Sequence, residues 1–359
     1  MNNLTRGAIS AVDARGMLGD VLDQPGQIED ALWRADSARL PRDEAAGGLV
    51  VAGMGGSAIG GDLAAAIVGD RARAPIRTVR DYRLPSWLGP DTLVLCASYS
   101  GSTEETLSAY GAAGELGCRR AAATTGGELG ERARADGVPV IGVPSGMLPR
   151  AAVQYMTAAA LECATACGAS PPLRPELEAA ADLLRGLAEE WGPDAPDQSQ
   201  AKGLAARLHR AVPVVYGAGR TAAVARRWKA QFNENPSIQA FASELPEADH
   251  NEVCGYASAE SPFAAVFLDD PGLDPRLWRR IDLTADVLQA GAAAVERVTA
   301  RGEAPAERVL SLVLLGDLVS IYLSTLLGVD PSPMEAIDRL KALLGANVEA
   351  PESAQGEPI

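Results

Sequence analysis

The stretch GLVVAGMGGSAIGGDLAAAI, starting at Gly48, constrains this chain more than any other. Residues 48–54 are apolar or glycine with no polar alternation, which predicts a strand buried on both faces. A glycine-rich turn follows, then a helical pattern over 57–68. A strand buried on both sides must be covered by helices above and below, which is the layout of a parallel, doubly wound sheet. The alternation continues, with strands expected at 75–80, 92–97, 120–124 and 139–143 and helices at 103–116 and 128–135. A second series opens at Pro213. It predicts a strand at 214–217, a helix at 221–232, strands at 237–241, 263–268 and 292–298, and helices at 305–327 and 333–344. The pattern gives an α/β chain of two consecutive three-layer α-β-α units with mainly parallel sheets, for which 359 residues leave room. LVVAGMGGSAIGGDLAAAI and VPVVYGAGRTAAVARRWKA both read as strand, glycine turn, helix, which suggests a duplication.

The expected organisation is a helical segment over 1–45, a first unit over 46–170, a helical linker over 171–200, a second unit over 201–347 and a flexible tail over 348–359. Residues 150–168 read as one long apolar helix. Pro171, Pro172 and Pro175 then force a break, because proline is not tolerated in a helix interior.

Charge and composition exclude several classes of function. The formal net charge is −15, which opposes binding to a nucleic-acid backbone. In so acidic a chain a phosphate site must be a small local pocket. No run approaches ~18 uninterrupted apolar residues, so no membrane partner is expected. The N-terminus carries no apolar core of signal-peptide length, and cytoplasmic placement follows as the expectation. The five cysteines, at 96, 118, 163, 167 and 254, form no CxxC pair and read as reduced thiols. The two histidines, His209 and His250, lie far apart. No metal cluster and no cofactor are expected.

Two loops point to one phosphate. The first is GMGGSAIGG, from Gly53. Its glycines allow the amides of Gly55, Gly56 and Ser57 to approach an anion at a helix N-terminus, where the dipole favours negative charge. It is no Walker loop, since no Gly-Lys-Ser/Thr follows, but GMGGSA also fits a dinucleotide fingerprint. The second loop, SYSGSTEET from Ser98, sets several hydroxyls at the start of a helix. A single N-cap accounts for one hydroxyl; it does not account for Ser98, Ser100, Ser102 and Thr103 together. Both loops follow strands, and in an open parallel sheet ligands bind at the carboxyl ends of strands.

SYSGSTEET resembles the phosphate-binding serine loop of sugar-isomerase (SIS) domains. Together with GMGGSAIGGDL it resembles the bifunctional phosphoglucose/phosphomannose isomerases over residues 45–345. The resemblance implies two tandem SIS domains, a small sugar phosphate as partner, and metal-free interconversion of aldose and ketose hexose 6-phosphates. It implies that Ser57, Ser98, Ser100 and Thr103 hold the phosphate. NENP, with Glu234, and DHN, with His250, look like the family's base for proton transfer between C1 and C2 and its ring-opening acid. In that family the histidine crosses a dimer interface, so a homodimer is expected. PR at Pro149-Arg150 resembles the turn whose arginine faces the enediolate. Lys341 matches the lysine of the family's C-terminal helix. A hydroxyl near that helix, for which Ser332 is a candidate and Met334 would be a departure, bears on acceptance of both C2 epimers. Rival readings are a non-catalytic phosphosugar sensor, a nucleotide-dependent oxidoreductase and an isomerase of another phosphosugar.

Overall fold

The computed structural model describes residues 4–256 and 262–345. Its strands form two sheets, one in each half of the chain, and every paired strand is parallel. The first sheet holds β1 (Gly48–Gly53), β2 (Ile76–Val79), β3 (Thr92–Ala97), β4 (Arg119–Thr124) and β5 (Val140–Gly142), in the order β2-β1-β3-β4-β5. The second holds β6 (Val212–Ala218), β7 (Phe241–Leu245), β8 (Phe263–Asp269) and β9 (Ala294–Thr299), in the order β7-β6-β8-β9. Each sheet therefore reverses direction at the first strand of its series. That reversal opens a crevice at the carboxyl ends of β1 and β3 in the first sheet. Register sharpens it: Gly53 pairs with Ala97, so the two loops leave the sheet at the same level.

Every residue of β1 is buried, as its unbroken apolar pattern requires. One face of the first sheet, through Val50, Val94 and Cys96, packs on the helices Glu104–Glu115 and Gly127–Ala135. The outer face of the second sheet, through Val214, Tyr216 and Phe267, packs on the helix Pro275–Leu288. The two inner faces, with Leu49 and Val51 on one side and Val215 and Val266 on the other, meet in one continuous core. Gly55–Val68, Val153–Ala166 and Pro305–Leu327 fill that middle layer, joined by the N-terminal helix Gln24–Ala38. The halves thus share a core, and the space between the sheets is where their functional loops can meet.

Pro305–Leu327 is apolar and long enough to cross a bilayer by composition, yet 89% of its most apolar window is buried within the protein. Asp317 in its middle pairs with Arg227. It is a core helix.

Three local expectations change. The segment 150–168 is not one helix: a 3-10 turn, Pro149–Ala152, precedes the α-helix Val153–Ala166. The strand expected at 237–241 lies at Phe241–Leu245 instead. Ser237 takes a positive φ of 55°, and Ile238 N–H donates to the Phe232 carbonyl, so these residues close the preceding helix rather than extend. The shift sets His250 just beyond the carboxyl end of β7. The helix Pro275–Leu288 was not anticipated. Four cysteines are buried and Cys254 is exposed. The tail at 348–359 lies outside the described residues.

Candidate active site

The first loop turns directly into the helix Gly55–Val68, so Gly55 and Gly56 form its opening turn rather than a separate loop. Ser57 and Ala58 N–H both donate to the Met54 carbonyl. The amides of Gly55 and Gly56 have no backbone acceptor among the described residues. No acidic side chain sits in this first turn, so the positive end of the helix dipole is uncompensated.

The second loop differs. Its helix, Glu104–Glu115, carries two glutamates in the first turn, which already complement its dipole. What it contributes is hydroxyls. Thr103 stands at the N-cap but its side chain makes no capping bond. Its Oγ1 lies 2.8 Å from Ser98 Oγ instead, and Ser98 Oγ also accepts from Gly101 N–H at 3.1 Å. The two loops are stitched together: Tyr99 N–H donates to Ser57 Oγ at 3.1 Å. Ser57 and Ser98 are buried. Ser100 is exposed, and its Oγ accepts from Ser102 N–H at 3.2 Å. Amides at an uncompensated helix end, next to linked hydroxyls, are donors of the kind that bind anions.

Gly101 sets the shape of that loop. Its φ is +70°, and a Cβ there would lie 1.9 Å from the Gly126 carbonyl oxygen. Gly101→Ala should therefore destabilise the protein by at least about 2 kcal/mol, combining left-handed strain with the clash. Urea unfolding measures the loss, and a change under 0.5 kcal/mol, roughly the size of a neutral surface substitution, would contradict it.

Gly56 leads to the second cluster. A Cβ on it would lie 3.1 Å from Arg150 Cα, so the first loop runs against the Pro149–Arg150 turn. Arg150 is only 2% exposed. Its Nε donates to Asn235 Oδ1 at 2.6 Å, Nη1 lies 3.4 Å from Glu234 Oε2, and Nη2 donates to the Pro331 carbonyl. Burial lowers the Arg150 pKa and the Glu234 carboxylate opposes that shift; a guanidinium remains charged regardless. Glu234 ends the helix Thr221–Glu234, and its side chain stays a quarter exposed. A fixed cation thus faces a reachable carboxylate, beside the turn that opens the helix Gly55–Val68.

Of the remaining expected residues, Ser332 borders this cluster, because it follows Pro331, while His250 and Lys341 make no hydrogen bond or ion pair with it among the described residues. His250, in the 3-10 turn Glu247–His250, is exposed, and its side chain makes no hydrogen bond or ion pair among the described residues. Its turn is held through Asp249, which accepts from Thr284 Oγ1 at 2.7 Å and Arg280 Nη1 at 3.0 Å, and the next 3-10 turn, Glu252–Tyr256, through Glu252, which accepts from Tyr216 at 2.6 Å. Lys341 is exposed on the helix Glu335–Gly345, where Leu340, Leu343 and Leu344 also face out. Ser332 is buried, and its hydroxyl has no hydrogen-bond partner among the described residues. No three His, Cys, Asp or Glu side chains among the described residues are grouped to hold a metal ion.

Comparison with known proteins identifies the family. The bifunctional phosphoglucose/phosphomannose isomerase of Caldicellulosiruptor bescii is 40% identical over 301 residues, covering 82% of this chain and 88% of its own. That of Aquifex aeolicus is 36% identical, covering 82% and 89%. This chain belongs to the bifunctional phosphoglucose/phosphomannose isomerase family. Residues 197–344, the half containing the second sheet, match the family model of the bacterial phospho-glucose isomerase C-terminal SIS domain. The fold is also that of a crystal structure of a hypothetical protein from Thermus thermophilus, at a TM-score of 0.73 and 19% identity over 96% of this chain and 94% of that one.

For this member of the family, sequence reading missed the groups that hold Arg150 in place. Asn235 lies inside the NENP motif but drew no notice as a partner of Arg150. Arg227, Asp317 and Ser320 sit in patterns that read as ordinary helix. A charged residue in the middle of an apolar helix was the available signal for Asp317, since buried carboxylates are rare unless paired.

Proposed function

We propose that this protein interconverts glucose 6-phosphate, mannose 6-phosphate or both with fructose 6-phosphate through a cis-enediolate, without a metal ion. The observation that carries the reading is the meeting of Arg150 and Glu234 beside the glycine turn that opens the helix Gly55–Val68. Family membership supports the same reaction class.

In this reading the amides of Gly55 and Gly56 and the hydroxyls of Ser57, Ser98, Ser100 and Thr103 grip the phosphate. Glu234 takes the proton from C2 of the open-chain aldose. The C–H electron pair becomes the C1–C2 double bond, and the carbonyl electrons move onto O1. A proton passes from O2 to O1, and Glu234 returns its own proton to C1, giving the ketose. No electron leaves the substrate, so no redox partner is needed. Arg150 opposes the negative charge on the enediolate oxygens, the role for which a fixed, buried cation is effective. His250 serves as ring-opening acid. Its exposure and its held turn suit delivery into the site of a second copy, so the active unit is a homodimer. Lys341 reaches the substrate from the terminal helix. Phosphorylated hexoses as substrates suit a cytoplasmic enzyme.

The test is an assay of purified, EDTA-treated protein on the three hexose phosphates. Turnover between fructose 6-phosphate and at least one aldose is expected, with no change on adding a divalent cation. Silence on all three sugars would remove the hexose claim. Activity lost to the chelator and restored by metal would remove the metal-free claim.

A further inference from the structure

Arg150 is held at both ends by one connected set of buried groups. Its backbone carbonyl accepts from Arg227 Nη2 at 2.7 Å. Arg227 pairs with Asp317 through Nε at 3.1 Å and Nη2 at 2.9 Å. One turn on in the same helix, Ser320 Oγ donates to the Asp317 carbonyl at 2.6 Å. Ser320 Oγ in turn accepts from Asn235 Nδ2 at 2.8 Å, and Asn235 Oδ1 accepts from Arg150 Nε at 2.6 Å. The path leaves Arg150 at its carbonyl and returns at its side chain. All five residues are buried.

The direction of each bond is forced. Ser320 has one hydroxyl proton, and it goes to the Asp317 carbonyl. Its oxygen can therefore only accept from Asn235, which must present its NH2 group there. The amide oxygen of Asn235 is thereby turned to Arg150 Nε, which can only donate. Remove the Ser320 hydroxyl and the Asn235 amide is free to flip, setting an NH2 group against the guanidinium. From the N-terminal segment, Gln24 Nε2 donates to Asp317 Oδ2 at 2.8 Å, and Gln154 Nε2 donates to Gln24 Oε1 at 2.8 Å. These bonds tie the N-terminal helix and both halves of the chain to the same carboxylate.

Stability alone does not account for the arrangement. A buried ion pair is often no more stabilising than apolar residues of like volume. What a closed polar circuit supplies is a single allowed orientation, and a misplacement of about 1 Å at a reacting group can cost roughly 10²-fold in rate.

We propose that Arg227, Asp317 and Ser320 are positioning residues that fix the Arg150 guanidinium opposite Glu234 through this closed circuit. The proposal rests on the role given to Arg150 above, and its test separates the two. Ser320→Ala removes one buried oxygen and is the least disruptive break. Arg227→Lys keeps the charge but lacks the fork needed to reach Asp317 and the Arg150 carbonyl together. Each variant should lower kcat on fructose 6-phosphate about tenfold or more, with KM changed less than about twofold. The double variant should fall well short of the product of the two losses, because both break one circuit. Independently of any substrate, exchange of the Arg150 Nε–H with water, followed by 15N NMR and assigned by its loss in Arg150→Lys, should be at least about tenfold faster in Ser320→Ala. Unchanged exchange together with unchanged kcat in Ser320→Ala would overturn the proposal. Faster exchange in a protein whose wild type turns over no hexose phosphate would leave the circuit standing and remove the functional reading instead.

Discussion

Glu234→Gln should lower kcat by about 10³-fold, within the range a positioned general base contributes. The substitution is close to isosteric, and the amide oxygen can still face Arg150 Nη1, now 3.4 Å from the carboxylate. The Arg150 guanidinium is buried and loses its ion-pair partner, but it keeps its bonds to Asn235 and the Pro331 carbonyl, so Tm should fall modestly rather than collapse. The amide cannot take a proton from carbon at neutral pH. KM should stay within about threefold, because the loops proposed to hold the phosphate lie on other elements and, in that role, bind substrate and transition state alike. The variant also tests the shared site. Glu234→Gln and His250→Gln chains, mixed after partial denaturation and refolding, should recover about a quarter of wild-type activity if dimers form at random and each site takes its histidine from the partner. Steady-state kinetics settles both points. More than a tenth of wild-type kcat in Glu234→Gln alone would remove the carboxylate from proton transfer. No recovery on mixing would remove the shared site.

How far such a site can be read from sequence depends on which physical signal each residue leaves. β1 and β3 were legible because strands buried on both faces must be continuously apolar, and their loops because glycines and hydroxyls gather there for few other reasons. The helix Pro305–Leu327 matched its expected bounds because proline starts it and Gly328 ends it. The strand after Glu234 was misplaced by several residues. Its apolar residues begin before the backbone is free to extend, and the left-handed Ser237 that delays it carries no compositional mark. Pro275–Leu288 went unseen because it follows Pro-Gly and Asp-Pro pairs that read as loop. Asp274 in fact caps it, accepting from Arg276 N–H at 2.8 Å, with Pro275 in its first turn. The circuit around Arg150 was illegible for a different reason. It joins residues up to 293 positions apart, Gln24 to Asp317, and no local pattern encodes which buried polar groups will find one another. Only the shared core between the sheets brings them together.

Arg150 carries the other large expectation. Arg150→Lys should cut kcat by about 10²–10³-fold, the scale seen when a preorganised stabiliser of developing charge is removed. A lysine keeps one positive charge but cannot satisfy Asn235 Oδ1, Glu234 and the Pro331 carbonyl at once. Arg150→Met should lose as much activity and also destabilise the fold, because it leaves buried acceptors without donors, each costing about 1–3 kcal/mol. The pH profile separates charge from packing. Burial lowers the Arg150 pKa, yet a guanidinium stays protonated throughout the assay range, so it adds no alkaline limb to the wild-type profile. Burial also lowers a lysine pKa, and from a lower starting value. Raising the pH then strips the proton from Lys at this site, and the residual activity of Arg150→Lys should fall on the alkaline side where the wild type does not. Stopped-time assays of kcat across the alkaline range would show it. A Lys variant with wild-type kcat and a wild-type profile would mean that the cation beside Glu234 does not act on the enediolate, and the isomerase mechanism would need another source of positive charge.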